Sequence, residues 1–288
     1  MSTPIRDVTP ALLRDWPLPS PADSKYGRGQ VLIVGGAAQT PGAAQLAGLA
    51  ALRVGAGHLT LAVAESAAVT LAVATPEAGV VGLPQTDRGS VRGDDVSAIS
   101  DSLSSADVVV IGPGLDDPDQ TAHLLAQAVP QLGERTWLVL DAYALGVLPD
   151  ASDVIEPVRG RLILTPNQEE AARLLGRDVT NLEDDVAEIA RRYLAVVSCR
   201  SVVANQQGDC WKIGSGHSGL ATSGSGDVLA GAVAGLLARG ADPDQATCWA
   251  SHVHASAGDR LAVSVGSLGF LASELLAELP RVLVELGA

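Results

Sequence analysis

The sequence predicts an α/β protein in three layers, with helices covering both faces of a mostly parallel central sheet. Three observations carry that prediction. Short β-branched runs end in glycine or a polar residue, and alanine- and leucine-rich stretches of helical length lie between most of them. In addition, 47% of the 288 residues are hydrophobic against 18% charged, which is enough apolar side chain to fill a large core. Continuously apolar strands alternating with helices mark βαβ units, whose strands are buried on both faces.

Taken in order, strands are expected at 31–34, 58–63, 108–111, 137–140, 162–164 and 201–204. Helices are expected at 43–54, 121–129, 169–175 and 182–194. Past Gly226 the pattern becomes wholly helical, at 227–238 closed by Gly240, at 243–261 and at 268–286. No linker rich in Pro, Gly or Ser, no repeat and no charge block divides the chain. Residues 25–288 therefore read as a single domain, and 1–24 as a loosely structured or helical leader. That leader carries charges and prolines without an apolar stretch, so it is not a secretory signal. The charge-free run 29–52 holds Gly35, Gly36, Pro41 and Gly42 at its middle, which reads as strand, turn and helix rather than a membrane span.

With 33 acidic against 19 basic residues the net charge is −14, which argues against a nucleic-acid groove or an anionic membrane surface. An anionic substrate must then be held by local dipoles or by a metal. Three irregularly spaced cysteines (Cys199, Cys210, Cys248) build neither a disulfide framework nor a zinc cluster, and suggest a reducing, cytoplasmic setting.

Ligands in such sheets sit beyond the C-terminal ends of the strands, and four places there stand out. Gly35-Gly36 followed by a helix start at Pro41-Gly42 reads either as free backbone N–H groups for an anion or as an ordinary βα turn. Gly112-Pro113-Gly114 reads as a side-chain-free pocket wall or as a rigid turn. Asp141 ends one strand, and Thr165-Pro166-Asn167 ends the next. Asn167 and Glu170 fall on one side of the helix that follows, where they can hold a hydrated Mg²⁺ or simply form a capping box. The fourth place, 219–227, gives the sharpest signal. Gly224, Ser225 and Gly226 leave backbone N–H groups open at the positive end of a long helix, an anion hole for a transferring phosphoryl group. Asp227, in the first turn, is placed to take a proton from a substrate hydroxyl.

Other patterns are discounted. Gly214-Ser215-Gly216-His217-Ser218-Gly219 matches a dinucleotide fingerprint but precedes no helix directly and is read as loop. His252 and His254, two apart on a helix, point away from each other and do not make joint metal ligands. Gly231 and Gly235 are read as close packing against the sheet.

The run LATSGSGDVLAGAVAGLLARG (220–240) resembles the signature of the ADP/ATP-dependent NAD(P)H-hydrate dehydratases, members of the ribokinase-like superfamily. RGQVLIVGG (28–36), PGAA (41–44), ALRVGAG (51–57), IGPGL (111–115), LDA (140–142) and LTP (164–166) follow the same family in order. The resemblance implies a ribokinase-like fold and repair of hydrated NADH or NADPH. A phosphoryl group would pass from ADP, or ATP, to the ring hydroxyl, and loss of phosphate would restore the reduced cofactor. It further implies Asp227 as base, Gly224, Ser225 and Gly226 as the anion hole, and Ala43, Ala44, Gly114 and Asn167 about the hydrate. Cys199, Arg200 and Gly226 would face the nucleotide, Mg²⁺ would assist through Asn167 and Glu170, and the chain would assemble as a homo-oligomer, a tetramer by family likeness.

Three positions depart from the family pattern. Asn167 stands where a histidine is usual, Tyr143 where a second aspartate is expected, and Cys199-Arg200 at about the place of a Lys-Gly pair. Two other readings stay open on these residues: a small-molecule kinase of the same superfamily, and a non-catalytic nucleotide-binding paralogue.

Overall fold

The computed structural model describes residues 5–20 and 22–288. Its strands in chain order are β1 (Ile5–Val8), β2 (Gln30–Val34), β3 (His58–Ala64), β4 (Gly79–Leu83), β5 (Val108–Ile111), β6 (Trp137–Leu140), β7 (Leu162–Leu164), β8 (Val196–Cys199), β9 (Val202–Ala204) and β10 (Cys210–Ile213). Its helices are α1 (Pro10–Asp15), α2 (Pro41–Arg53), α3 (Glu65–Ala74), α4 (Ser100–Ser105), α5 (Pro118–Ala128), α6 (Tyr143–Val147), α7 (Gln168–Leu175), α8 (Leu182–Tyr193), α9 (Ser225–Ala238), α10 (Pro243–Ser264) and α11 (Ala272–Leu286). All ten strands form one sheet in the order β1-β10-β9-β8-β7-β6-β5-β2-β3-β4. Pairing is parallel except where β9 runs against β8 and β10.

Alternation along each strand feeds two cores. Val31, Ile33, Val108 and Val110 point to the side of α2, α9, α10 and α11, while Leu32, Val34, Val109 and Ile111 point to the side of α4 to α8. Both faces are therefore apolar, which is why the strands read as continuous hydrophobic runs. The central helix α9 lies against α2 through a notch of small residues. A Cβ on Gly231 would collide with the Ala47 carbonyl, and one on Gly235 with the Ala51 carbonyl. The close packing expected at these glycines is thus made with a helix, not with the sheet.

Every strand and helix expected from sequence is present within a few residues. Beyond the expected elements the structure holds β1, β4, β8 and β10 and the helices α3, α4 and α6. Residues 5–16, expected to be loose or helical, hold both a helix and an edge strand paired with β10. Leu13 is fully buried, Trp16 stacks on Trp211, and the Trp16 carbonyl accepts from Trp249 Nε1 at 2.9 Å. No helix among the described residues is long and apolar enough to cross a membrane.

Candidate functional site

The C-terminal ends of β2, β5, β6, β7 and β8 and the first turn of α9 meet at one end of the sheet. Here the glycine turn after β2 is knitted to the one after β5. Gly36 N donates to the Pro113 carbonyl and Ala37 N to the Gly114 carbonyl, both at 2.8 Å, and Gly35 N donates to Ala62. These N–H groups are consumed by the fold, whereas Gly42 and Ala44, at the start of α2, keep N–H groups without an acceptor among the described residues. Gly114 has φ +72, and a Cβ on it would clash with the Thr40 carbonyl and lie 3.0 Å from Ala43 Cβ. Gly114 and Ala43 are therefore neighbours, whereas Ala44 is fully buried in the core.

Asp141, at the end of β6, is 4% exposed and accepts from the Thr165 hydroxyl at 2.8 Å. Burial pushes its carboxyl up to about 7, and Asp227 adds to the shift. Glu170 rises to about 7 through burial, with Asp141 adding its field against the relief of the Asn167 N–H. Asp227 rises to about 6 through burial and then Glu170. Each of the three carboxyl groups thus feels the field of another, and no arginine or lysine among the described residues relieves Asp141 or Asp227.

Asn167 and Glu170 form the capping box. Asn167 Oδ1 accepts from Glu169 N at 2.8 Å and Glu170 N at 2.9 Å, while Glu170 Oε2 accepts from Asn167 N at 2.8 Å. A carbonyl oxygen has two lone pairs, and both are occupied. Asn167 therefore has no amide oxygen to offer a cation, which corrects the expectation that it is a Mg²⁺ ligand. Its Nδ2 remains a donor.

At the start of α9, Gly224 has φ +88, the left-handed conformation that glycine alone adopts without strain. The turn closes through Ser225 N donating to the Thr222 carbonyl at 3.2 Å. One of the three N–H groups expected in the anion hole is thus already used. The N–H groups of Gly224, Gly226 and Asp227 have no acceptor among the described residues, so two of the three expected groups are open and Asp227 adds another.

A cavity of about 680 Å³ opens beside this helix end, lined by Asn167, Arg200, Ser225 and Gly226 among the expected residues. Asp227, Gly114, Ala43 and Glu170 lie outside its lining. The loop 214–219, discounted as a fingerprint, contributes Ser215, Gly216, His217 and Ser218 to the wall, a placement that only the three-dimensional course of the β10–α9 connection reveals. Arg200 occupies the β8–β9 turn with φ +55 and donates Nη1 to Gln168 Oε1 at 2.7 Å. Its left-handed backbone matches the glycine usual at that place, at a cost of about 1–2 kcal/mol for a side chain. Cys199 is fully buried and burial pushes its thiol up to about 12, so its side chain cannot face a nucleotide. That expectation is corrected: the chain alternation turns Cys199 into the core and leaves only Arg200 at the cavity.

Residues 31–281 match the family model described as NAD(P)H-hydrate dehydratase. The chain is 44% identical to the ADP-dependent (S)-NAD(P)H-hydrate dehydratase of Xanthomonas campestris, over 97% of its own length and 96% of that protein's. Other relatives, the bifunctional NAD(P)H-hydrate repair enzymes, are longer, and the chain spans about half their length. A ribokinase-like superfamily protein of Enterococcus faecalis superposes with a TM-score of 0.84 at 24% identity, covering 98% of this chain and 96% of that one. The Bacillus subtilis ADP/ATP-dependent NAD(P)H-hydrate dehydratase, crystallised with ATP and Mg²⁺, superposes with a TM-score of 0.79 at 25% identity, covering 98% and 99%.

Proposed function

The chain belongs to the NAD(P)H-hydrate dehydratase family, and we propose that it uses ADP to dehydrate the S-form of hydrated NADH and NADPH. The β-phosphoryl group of ADP passes to the ring hydroxyl, releasing AMP. The new ester's C–O bond then breaks to expel phosphate while the adjacent ring carbon loses a proton, which forms the double bond and restores NAD(P)H. The observation that carries this reading is the conjunction at α9. N–H groups of Gly224, Gly226 and Asp227, without an acceptor among the described residues, stand at the positive end of a helix beside the Asp227 carboxylate, at the edge of a cavity that holds Arg200.

Each residue has a role that its geometry supports. Asp227 takes the proton of the ring hydroxyl; with its carboxyl near 6, it is charged at neutral pH yet basic enough to accept. The Gly226 and Asp227 N–H groups meet the charge on the transferring phosphoryl oxygens. Arg200, and Asn167 through Nδ2, face the nucleotide phosphates from the opposite wall. Gly114 and Ala43 give the hydrate a wall without bulk.

Mg²⁺ fits the site only as a partner of the nucleotide. Among the described residues no three His, Cys, Asp or Glu side chains converge on one metal position. A Mg²⁺ ion carried on phosphates needs no more than one or two protein oxygens, and Glu170, whose second carboxyl oxygen is not used by the capping box, suits that place. When bound, the ion would neutralise charge on the phosphates. A cytoplasmic homo-tetramer completes the proposal; exposed Val69 and Val73 on α3 are consistent with contact between copies.

The test is product analysis by phosphorus NMR after incubation with hydrated NADH, ADP and Mg²⁺. AMP and orthophosphate in equal amounts are expected. A stable phosphate ester would mean a kinase instead.

A further inference from the structure

α10 is buried nearly all round, through Cys248, Trp249, Ala250, Val253 and Ala257, and it carries a polar side chain into this packing at His254. His254 Nε2 lies 3.0 Å from the Ser225 hydroxyl oxygen and 3.0 Å from the Ser225 carbonyl oxygen. A carbonyl can only accept, so a hydrogen bond there requires the ring proton on Nε2. Burial pushes the imidazole down to about 4, leaving it neutral with one proton to place. A ring protonated on Nδ1 would instead set two lone pairs against each other at 3.0 Å. The Ser225 hydroxyl hydrogen is then not taken by the ring and remains a donor in the cavity wall.

The consequence follows from peptide planarity. The Ser225 carbonyl and the Gly226 N–H belong to one rigid trans peptide unit and point in opposite directions. Whatever holds the carbonyl also aims the N–H. We infer that His254 is a positioning residue: by donating Nε2–H to the Ser225 carbonyl it locks the peptide plane that presents the Gly226 N–H to the transferring phosphoryl group. The inference rests on the function proposed above. His254 borders the cavity, but both contacts of its Nε2 are to Ser225, which leaves that nitrogen no proton to exchange with a ligand.

Nitrogen-15 NMR of the histidine rings in the native protein, at neutral pH, tests the bond directly. A neutral ring protonated on Nε2 is expected for His254, and a ring protonated only on Nδ1 overturns the inference. In the same samples the Gly226 amide resonance is expected to move on adding ADP to native protein, and to move less than half as far in His254→Phe. An equal movement in both overturns the inference.

Kinetics separate positioning from mere folding. His254→Phe is expected to lower kcat by at least about 10-fold with KM for ADP changed less than threefold, since an N–H aimed at developing charge matters most in the transition state. His254→Gln, which keeps a donor, is expected to recover much of that loss. A His254→Phe enzyme with native kcat contradicts the inference. Should native protein show no dehydration while its Gly226 amide still responds to ADP and the ring is Nε2-protonated, the proposed reaction falls and the positioning role stands.

Discussion

The Thr165 hydroxyl donates to Asp141 Oδ1 at 2.8 Å, tying the end of β7 to the end of β6 beneath the site. This bond favours the charged carboxylate, but burial and Asp227 outweigh it, and the Asp141 carboxyl stays near 7 against an ordinary 3.8. The folded state therefore binds this proton more tightly than the unfolded chain does. Stability that is present at about pH 4 is lost as the pH rises to about 7. Asp141→Asn keeps an acceptor for Thr165 and removes the buried charge. In metal-free protein at pH 8 it is expected to raise stability relative to native by about 4 kcal/mol, read as a higher midpoint of thermal unfolding, and to have little effect at pH 4. An equal effect at both values would show that Asp141 is not the group responsible.

Asp227 works as a base only when ionised, and burial with Glu170 holds it near 6. The acid limb of kcat/KM is expected to bend close to that value. Asp227→Asn should reduce kcat by about 10²–10⁴-fold with ADP still bound, which calorimetry on the same preparation would verify.

Arg200 trades backbone strain for charge. Arg200→Gly is expected to stabilise the fold by up to about 1–2 kcal/mol through relief of the φ +55 conformation. It should also weaken ADP binding by about 10-fold or more, the loss of one charge-assisted contact. Urea unfolding and ADP titration, run side by side, would reveal whether the two effects move in opposite directions.

Gly231 has no room for a methyl group, because the Ala47 carbonyl occupies that position. Gly231→Ala forces α9 away from α2 and is expected to cost about 1–3 kcal/mol or more. A variant that unfolds at the native denaturant midpoint would contradict the packing described here.

The βαβ core was legible because its signals are local. Runs such as Val108–Ile111, flanked by alanine-rich stretches, carry both period and length. The strands without such signals are explained locally: β1 is exposed at three of its four residues and carries Arg6 and Asp7, β4 has glycine at both Gly79 and Gly82, and β8 is separated from β9 by only two residues. At the site, Asp227 and Gly226 stood out through their glycine-rich loop. Cys199 and Arg200 are adjacent in sequence, so only strand geometry could separate the buried one from the exposed one. Asn167 and Glu170 show the same limit. Their spacing fits a cap and a metal pair equally, and the occupied lone pairs of Oδ1 decide for the cap. His254 gave no signal toward the site at all, since its contact with Ser225 spans 29 residues and depends on how α10 crosses α9.

The most direct measurement is recovery of reduced-nicotinamide absorbance when native protein is mixed with hydrated NADH, Mg²⁺ and either ADP or ATP. Full recovery with ADP, and none with Asp227→Asn, is the result this account requires. No recovery with either nucleotide, from native protein that demonstrably binds ADP, would contradict it.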